Sequence, residues 1–396
     1  MVSLDTLRFN CYLERMVRVE GFLSEAIGIS SQLQRGFLSY MIERLRGLEE
    51  GLVLAFKEGK PDEFEEVRKG LGRICELASL IPSKPEIPNE LRTFISYYLG
   101  GDEGIAILYS GHGRADVHIT SEDLGCGLTV LRIPFFDYKS PYMWALLAHD
   151  MVHLIERRRG ISERVSHSIL VDGELLADLM ALLMIGPAYI YALMSRTILS
   201  DPYICIRGHR VLGFAEMGDI LKGLGIPFGS DDGTPQGCIE VFLPERPSAN
   251  LDMEAVSFLI DILKGDGIPV YSPEDEDVSR FILFPRMERG ELISSYRDPK
   301  VEPVVRSMLS SIRDGEGLDI YEVVKMLEER PANPGQIVNA GWRAICKELM
   351  ADKRPYIEDV PRFLGLFREK ILGIGEISRR SIETASIHRL FMRGEG

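Results

Sequence analysis

The sequence predicts an α+β fold, predominantly α, and three observations lead there. From residue 3 to about 80, and again from about 299 onward, apolar residues recur at three- and four-residue spacing, as in amphipathic helices. Three short runs rich in β-branched and aromatic residues, GIAILYS, ADVHIT and GLTVLRIPFF, read as a small sheet. Directly after them come two strongly apolar segments, SPYMWALLAHDMVHLIERRRG and ELLADLMALLMIG, with histidines and carboxylates at helical spacing.

Taken in order, residues 1–82 form a helical bundle of three segments, LDTLRFNCYLERMVRVEGFL, SQLQRGFLSYMIERLRGLEEGLVLAF and DEFEEVRKGLGRICELASLI. Gly59-Lys60-Pro61 and Ile81-Pro82 punctuate them. SKPEIPNE marks a boundary, and residues 83–205 hold one more helix (LRTFISYYLGG), the sheet and the two histidine- and carboxylate-bearing helices. The first of these helices has clear ends: Ser140 as N-cap, Pro141 at the first helical position, and Arg157 to Arg159 before Gly160. Residues 206–298 are a mixed α/β region. It contains helices FAEMGDILKGL and DMEAVSFLIDILKG, strands CIEVFLP and GIPVYS, and an acidic loop SPEDEDVS that reads as solvated. Residues 299–396 return to helices, among them PVVRSMLSSIRD, DIYEVVKMLEE, GQIVNAGWRAICKELM and Val360 to Leu372.

At 396 residues the chain can bury a large core. Its net charge of −14 and pI near 5.1 argue against a general nucleic-acid surface, which needs the opposite sign. Cys11, Cys75, Cys126, Cys205, Cys238 and Cys346 are far apart with no CxxC pair, which argues against a zinc–thiolate cluster. With no secretory signal in view they read as reduced, mostly buried thiols of a cytoplasmic protein. The longest apolar stretch, Leu179 to Met194, is short for a membrane span and is broken by Gly186-Pro187. A buried helix, a break and a second helix account for it better. Oligomeric state leaves no trace in the sequence.

The chemistry concentrates in five residues. His149 and His153 are one turn apart on one helix face, so two imidazole nitrogens can converge on one point, as a tetrahedral zinc site requires. Glu174 follows His153 by 21 residues, room for the chain to turn and send back an antiparallel helix with a third ligand. Asp178, one turn beyond Glu174, can accept the free N–H of a ligating histidine. The bland alternative is a pair of half-buried histidines, each hydrogen-bonded to backbone. The apolar setting weighs against it, because buried carboxylates and imidazoles need partners.

These residues resemble the gluzincin class of zinc metallopeptidases, whose pattern is HExxH followed by ExxxD on a second helix. A GPAY-type segment after the glutamate is also similar to uncharacterised peptidase-like proteins. The resemblance covers roughly residues 128 to 200. It implies a zincin-like core, Zn2+ held by His149, His153 and Glu174, Asp178 orienting His149, and a peptide or protein substrate. It also implies that one edge strand, GIAILYS or ADVHIT, holds extended substrate by backbone pairing. One position departs from the pattern: the general base of the family is the glutamate after the first histidine, and here it is Asp150. Aspartate has the same chemistry with one methylene less reach, and a displacement of about 1 Å can cost on the order of 100-fold in rate. Asp150 is therefore a working base in a rearranged pocket or the relic of one.

Many zinc peptidases place a downstream His, Tyr or Arg on the developing oxyanion. His209 is the candidate here, with Tyr203, Arg207 and Arg210 beside it and a surface cluster as the plain alternative. His112, His118 and His167 read as turn, strand and loop residues. Three functions follow. The first is a zinc-dependent hydrolase, most simply a metallopeptidase with Asp150 as base. The second is a zincin-like scaffold that binds metal or peptide without cutting. The third is an HD-domain phosphohydrolase, since ALLAHDMVH is similar to that family's metal helix. In that last case Asp150 ligates instead of Glu174, and the upstream histidines, His112 and His118, sit awkwardly in strand-like sequence.

Overall fold

The computed structural model describes residues 3–101, 104–110, 116–119, 129–165, 173–199, 214–226, 253–271, 333–350 and 353–392. Among them the fold is α+β and predominantly α. Helix α1 (Leu4–Ile29) starts where the Ser3 hydroxyl accepts the Thr6 N–H (3.1 Å) and Asp5 meets the positive helix end. Its apolar residues fall on nearly every side, so it is the central rod, packed against α2 (Gln32–Lys57), α9 (Pro187–Leu199), α12 (Pro334–Met350) and α13 (Val360–Met392). Helix α3 (Phe64–Ser79) closes the N-terminal layer after the turn at Gly59 (φ 70°) and a 3-10 turn at Pro61–Glu63.

Helix α4 (Asn89–Leu99) ends at Gly100 and leads into the sheet. Strands β1 (Ile105–Ser110), β2 (Asp116–Ile119) and β3 (Thr129–Pro134) lie in the order β1-β3-β2, with β1 parallel and β2 antiparallel to β3. The central strand β3 is buried along almost its whole length, as a doubly covered strand must be. Among the described residues both GIAILYS and ADVHIT are outer strands. β2, the ADVHIT strand, is the one that lies against the histidine helix.

The histidine helix is not the single rod that Ser140 to Arg159 suggests. The chain forms a short α5 (Pro141–Trp144), turns at Ala145-Leu146, and resumes as α6 (Leu147–Arg159). The Leu146 and Ala148 amides bond three residues back, to Met143 and Ala145, and this tightens the turn. Ser140 occupies the N-cap position, but its side chain does not cap. The far end follows expectation: three arginines precede Gly160 in the left-handed conformation (φ 57°).

After the short α7 (Ile161–Val165), α8 (Gly173–Ile185) carries the two carboxylates, and every residue from Leu175 to Ile185 is buried. At about 1.5–3 kcal/mol per large apolar side chain, that burial anchors α8 firmly whatever its polar residues do. The chain breaks at Gly186 (φ 79°) and Pro187 starts α9, as the Gly-Pro pair predicts. Asn339 of α12 clamps the break: its Oδ1 accepts the Ala188 N–H (2.8 Å) and its Nδ2 donates to Ile185 O (2.6 Å) and Gly335 O (2.9 Å).

Helices α10 (Phe214–Gly223) and α11 (Met253–Gly265) stand where the periodicity puts them. Residues 268–271, expected within the strand GIPVYS, are irregular. Ile268 N–H closes α11 onto Leu263 O (2.9 Å) and Tyr271 N–H goes to Leu183 O (2.8 Å), so neither amide is left for a sheet. Helix α13 runs 20 residues beyond the expected end at Leu372. CIEVFLP, the acidic loop and the helices expected between 299 and 332 lie outside the described residues. Buried apolar residues from these helices and the sheet form one contiguous cluster. Among the described residues no helix is long and apolar enough to cross a membrane. Cys11, Cys75 and Cys346 form no disulfide.

Candidate metal centre

The i,i+4 spacing on α6 places the rings of His149 and His153 edge to face, centroids 4.9 Å apart. Helix α8 lies alongside, and the later residue of one helix meets the earlier residue of the other in the antiparallel sense expected. His149 thus reaches both Asp178 and Glu174, whereas His153 reaches Glu174. The distances are 3.3 Å between the two Nε2 atoms, 3.1 Å from His149 Nε2 to Glu174 Oε2, and 3.7 Å from His153 Nε2 to Glu174 Oε1. One ligand atom from each of the three residues falls within 4.8 Å of the others. The two imidazoles and the Glu174 carboxylate are partly exposed, so the cluster has an open side.

Asp178 lies beneath, with a side chain only 3% exposed. Its Oδ1 is 2.8 Å from His149 Nδ1 and 2.6 Å from the Tyr189 hydroxyl. Burial and the Asp178 charge push the Tyr189 phenol well up, so it stays protonated and donates to the carboxylate. With Asp178 as acceptor, His149 carries its proton on Nδ1 and turns the lone pair of Nε2 toward Glu174. A lone pair and a carboxylate oxygen 3.1 Å apart repel unless something positive lies between them. A proton meets that need in part. Burial pulls the His149 imidazole down, but the hydrogen bond to Asp178 and the charges of Asp178, Asp150 and Glu174 outweigh it and lift the group to about 8. His153 is held below its ordinary value by burial and by the neighbouring His149. A divalent cation meets the same need for all three side chains at once.

The donor set suits such an ion. Two imidazoles and a carboxylate are zinc ligands, and three protein ligands leave a position open. Bonds of about 2.0–2.1 Å in a tetrahedron give ligand–ligand edges of about 3.4 Å. The edge between the two Nε2 atoms, 3.3 Å, is close to that value, and Glu174 presents Oε2 to His149 at 3.1 Å and Oε1 to His153 at 3.7 Å.

Asp150 sits half-buried on α6 beside His149, and its charge acts on both His149 and Tyr189. It is not one of the three clustered ligands. His118 falls in β2, paired with Val130. His209, Tyr203, Arg207, Arg210, His112 and His167 lie outside the described residues. Tyr189 is the residue that sequence reasoning missed. It stands at the third position of α9, and its one visible trace is the tyrosine of GPAY just after the helix break. Comparison of the chain with protein-family models, with curated proteins and with solved structures finds no match.

Proposed function

We propose that this protein is a zinc-dependent hydrolase acting on peptide bonds, built around a zincin-like core of β1–β3, α6 and α8. The observation that carries the proposal is that one ligand atom from each of His149, His153 and Glu174 lies within 4.8 Å of the others, with the two Nε2 atoms 3.3 Å apart. Two imidazoles and one carboxylate are a donor set that suits zinc better than ions that prefer all-oxygen ligands. When bound, zinc supplies a water with a pKa near 7 and a Lewis acid for the scissile carbonyl.

The residues of the chain divide the remaining work. His149, His153 and Glu174 hold the ion. Asp178 fixes the tautomer and the ring plane of His149, and Tyr189 fixes Asp178 in turn. Asp150 accepts a proton from the attacking water at its carboxylate and returns it to the leaving amine. An extended peptide pairs with the edge of β2 opposite β3, on the strand that lies against α6.

A second reading rests on one observation: the base position holds aspartate, one methylene short of glutamate. In that reading the same site binds zinc or peptide without turnover. The phosphohydrolase reading is the weakest, because the ligand cluster takes Glu174 and leaves Asp150 out. Hydrolysis of a peptide library by zinc-loaded native protein, Asp150→Glu and Asp150→Ala separates the first two. The hydrolase predicts a loss of about 10²–10⁴-fold in Asp150→Ala. A native protein no faster than Asp150→Ala favours the scaffold.

A further inference from the structure

The solvent face of α2 carries apolar side chains that the metal proposal does not use. Leu33, Phe37, Tyr40 and Leu54 are exposed there, Leu33 at 87%. With Arg44, Gly47 and Gly51 they recur in alternating steps of four and three residues, so all seven lie along one stripe of the helix. That is the spacing of a seam between two helices. The fold decides which stripe faces outward: Leu38, Met41, Leu45 and Leu52 are buried against the rest of the chain, and this one is not.

The stripe has two unlike halves. Leu33, Phe37 and Tyr40 make its N-terminal half project. Its C-terminal half is recessed, because Gly47 and Gly51 floor a hollow between α2 and α3, walled by Arg44, Val67 and Gly70. A Cβ on either glycine would meet no other atom within 4 Å, so packing within one copy does not require glycine there. Each costs a helix interior about 0.5–1 kcal/mol relative to alanine.

Projections and a hollow on one surface complement each other under a two-fold rotation. Pair α2 antiparallel with α2 of a second copy, the axis level with Ile42. Phe37 then faces Gly47 of the second copy, Leu33 faces Gly51 and Tyr40 faces Arg44, in both directions. Charge agrees with this register. Glu43 and Arg44 make no ion pair among the described residues. Around the axis they form a cluster of four charges of alternating sign, with each guanidinium beside a Tyr40 ring. A parallel pairing instead sets Arg44 against Arg44 and leaves the hollow empty. We propose that the protein forms a two-fold symmetric homodimer through this face, with Leu33 and Phe37 of each copy seated in the α2–α3 hollow of the other. The contact runs along about 27 Å of helix on each copy.

Sedimentation velocity of the full-length protein over about 1–100 μM tests this. Native protein is expected to move from the 44.6 kDa of one chain toward twice that mass as concentration rises. Phe37→Asp removes a projection and Gly47→Gln fills the hollow, and each is expected to weaken association at least about 10-fold. Both positions are exposed, and circular dichroism checks that the variants keep their helices. If Phe37→Asp does not fold, Gly47→Gln decides. Native protein that stays monomeric throughout, or a dimer that either folded variant leaves intact, overturns the proposal.

Discussion

Asp178 serves two partners with one oxygen, and its burial makes both bonds matter. Removal of the Tyr189 hydroxyl takes one of those two bonds from the carboxylate, and Asp178→Asn removes the charge that orients His149. Loss of such outer partners weakens metal binding about 10–100-fold. Tyr189→Phe is expected at the low end of that range and Asp178→Asn at the high end, in competition with a chromophoric zinc chelator. Unchanged affinity in both variants contradicts the orienting role. A second residue-scale prediction concerns Glu49, fully buried on α2 beside Arg368 of α13 (2.7 Å). Burial lifts its carboxyl to about 7 against the pull of Arg368. The folded state therefore holds the extra proton between about pH 4.5 and 7, and stability falls as pH rises through that window. Glu49→Gln removes this slope, so the variant gains about 2–3 kcal/mol on the native protein between pH 5 and pH 8, read by urea unfolding. A constant difference across that range refutes it. The clustering of His149 and His153 was legible in the sequence because i,i+4 spacing fixes direction on a helix. Tyr189 was not, since its role depends on how separate elements meet.

The element that positions the carboxylates is the α8–break–α9 unit. A Cβ on Gly186 would lie 2.5 Å from the Tyr271 ring, and its φ of 79° disfavours any side chain. Gly186→Ala is therefore expected to cost at least about 2–3 kcal/mol and to lower the melting temperature by several degrees. A variant as stable as the native protein refutes this account of the break. Asn339→Ala strands the buried Ala188 N–H and the Ile185 carbonyl and is expected to cost about 1–3 kcal/mol in chemical unfolding. The Gly-Pro break was readable locally, whereas the clamp that holds it comes from 151 residues further along the chain. The turn at Ala145-Leu146 was not readable, because an apolar run with good helix formers gives no local reason to stop. The strand expected at GIPVYS failed for a related reason: its amides go to a helix end and to α8, not to a neighbouring strand.

Across the whole molecule, periodicity made the helical ends and the small sheet legible. The order β1-β3-β2 with its parallel pair was not, because strand pairing is decided by contacts between distant segments. The long α13 ties the N-terminal helices to the rest through Arg368, which bridges Glu20 and Glu49, and through Arg379 on Glu90. One contiguous core then holds α6 and α8 at fixed spacing, and that spacing is what makes three side chains a candidate metal site. Zinc content per chain after careful demetallation and reconstitution, measured for native protein and Glu174→Ala, tests this most directly. The account predicts one zinc per native chain and a large loss in the variant. Native protein that retains no stoichiometric zinc, or a Glu174→Ala variant that retains it fully, contradicts it.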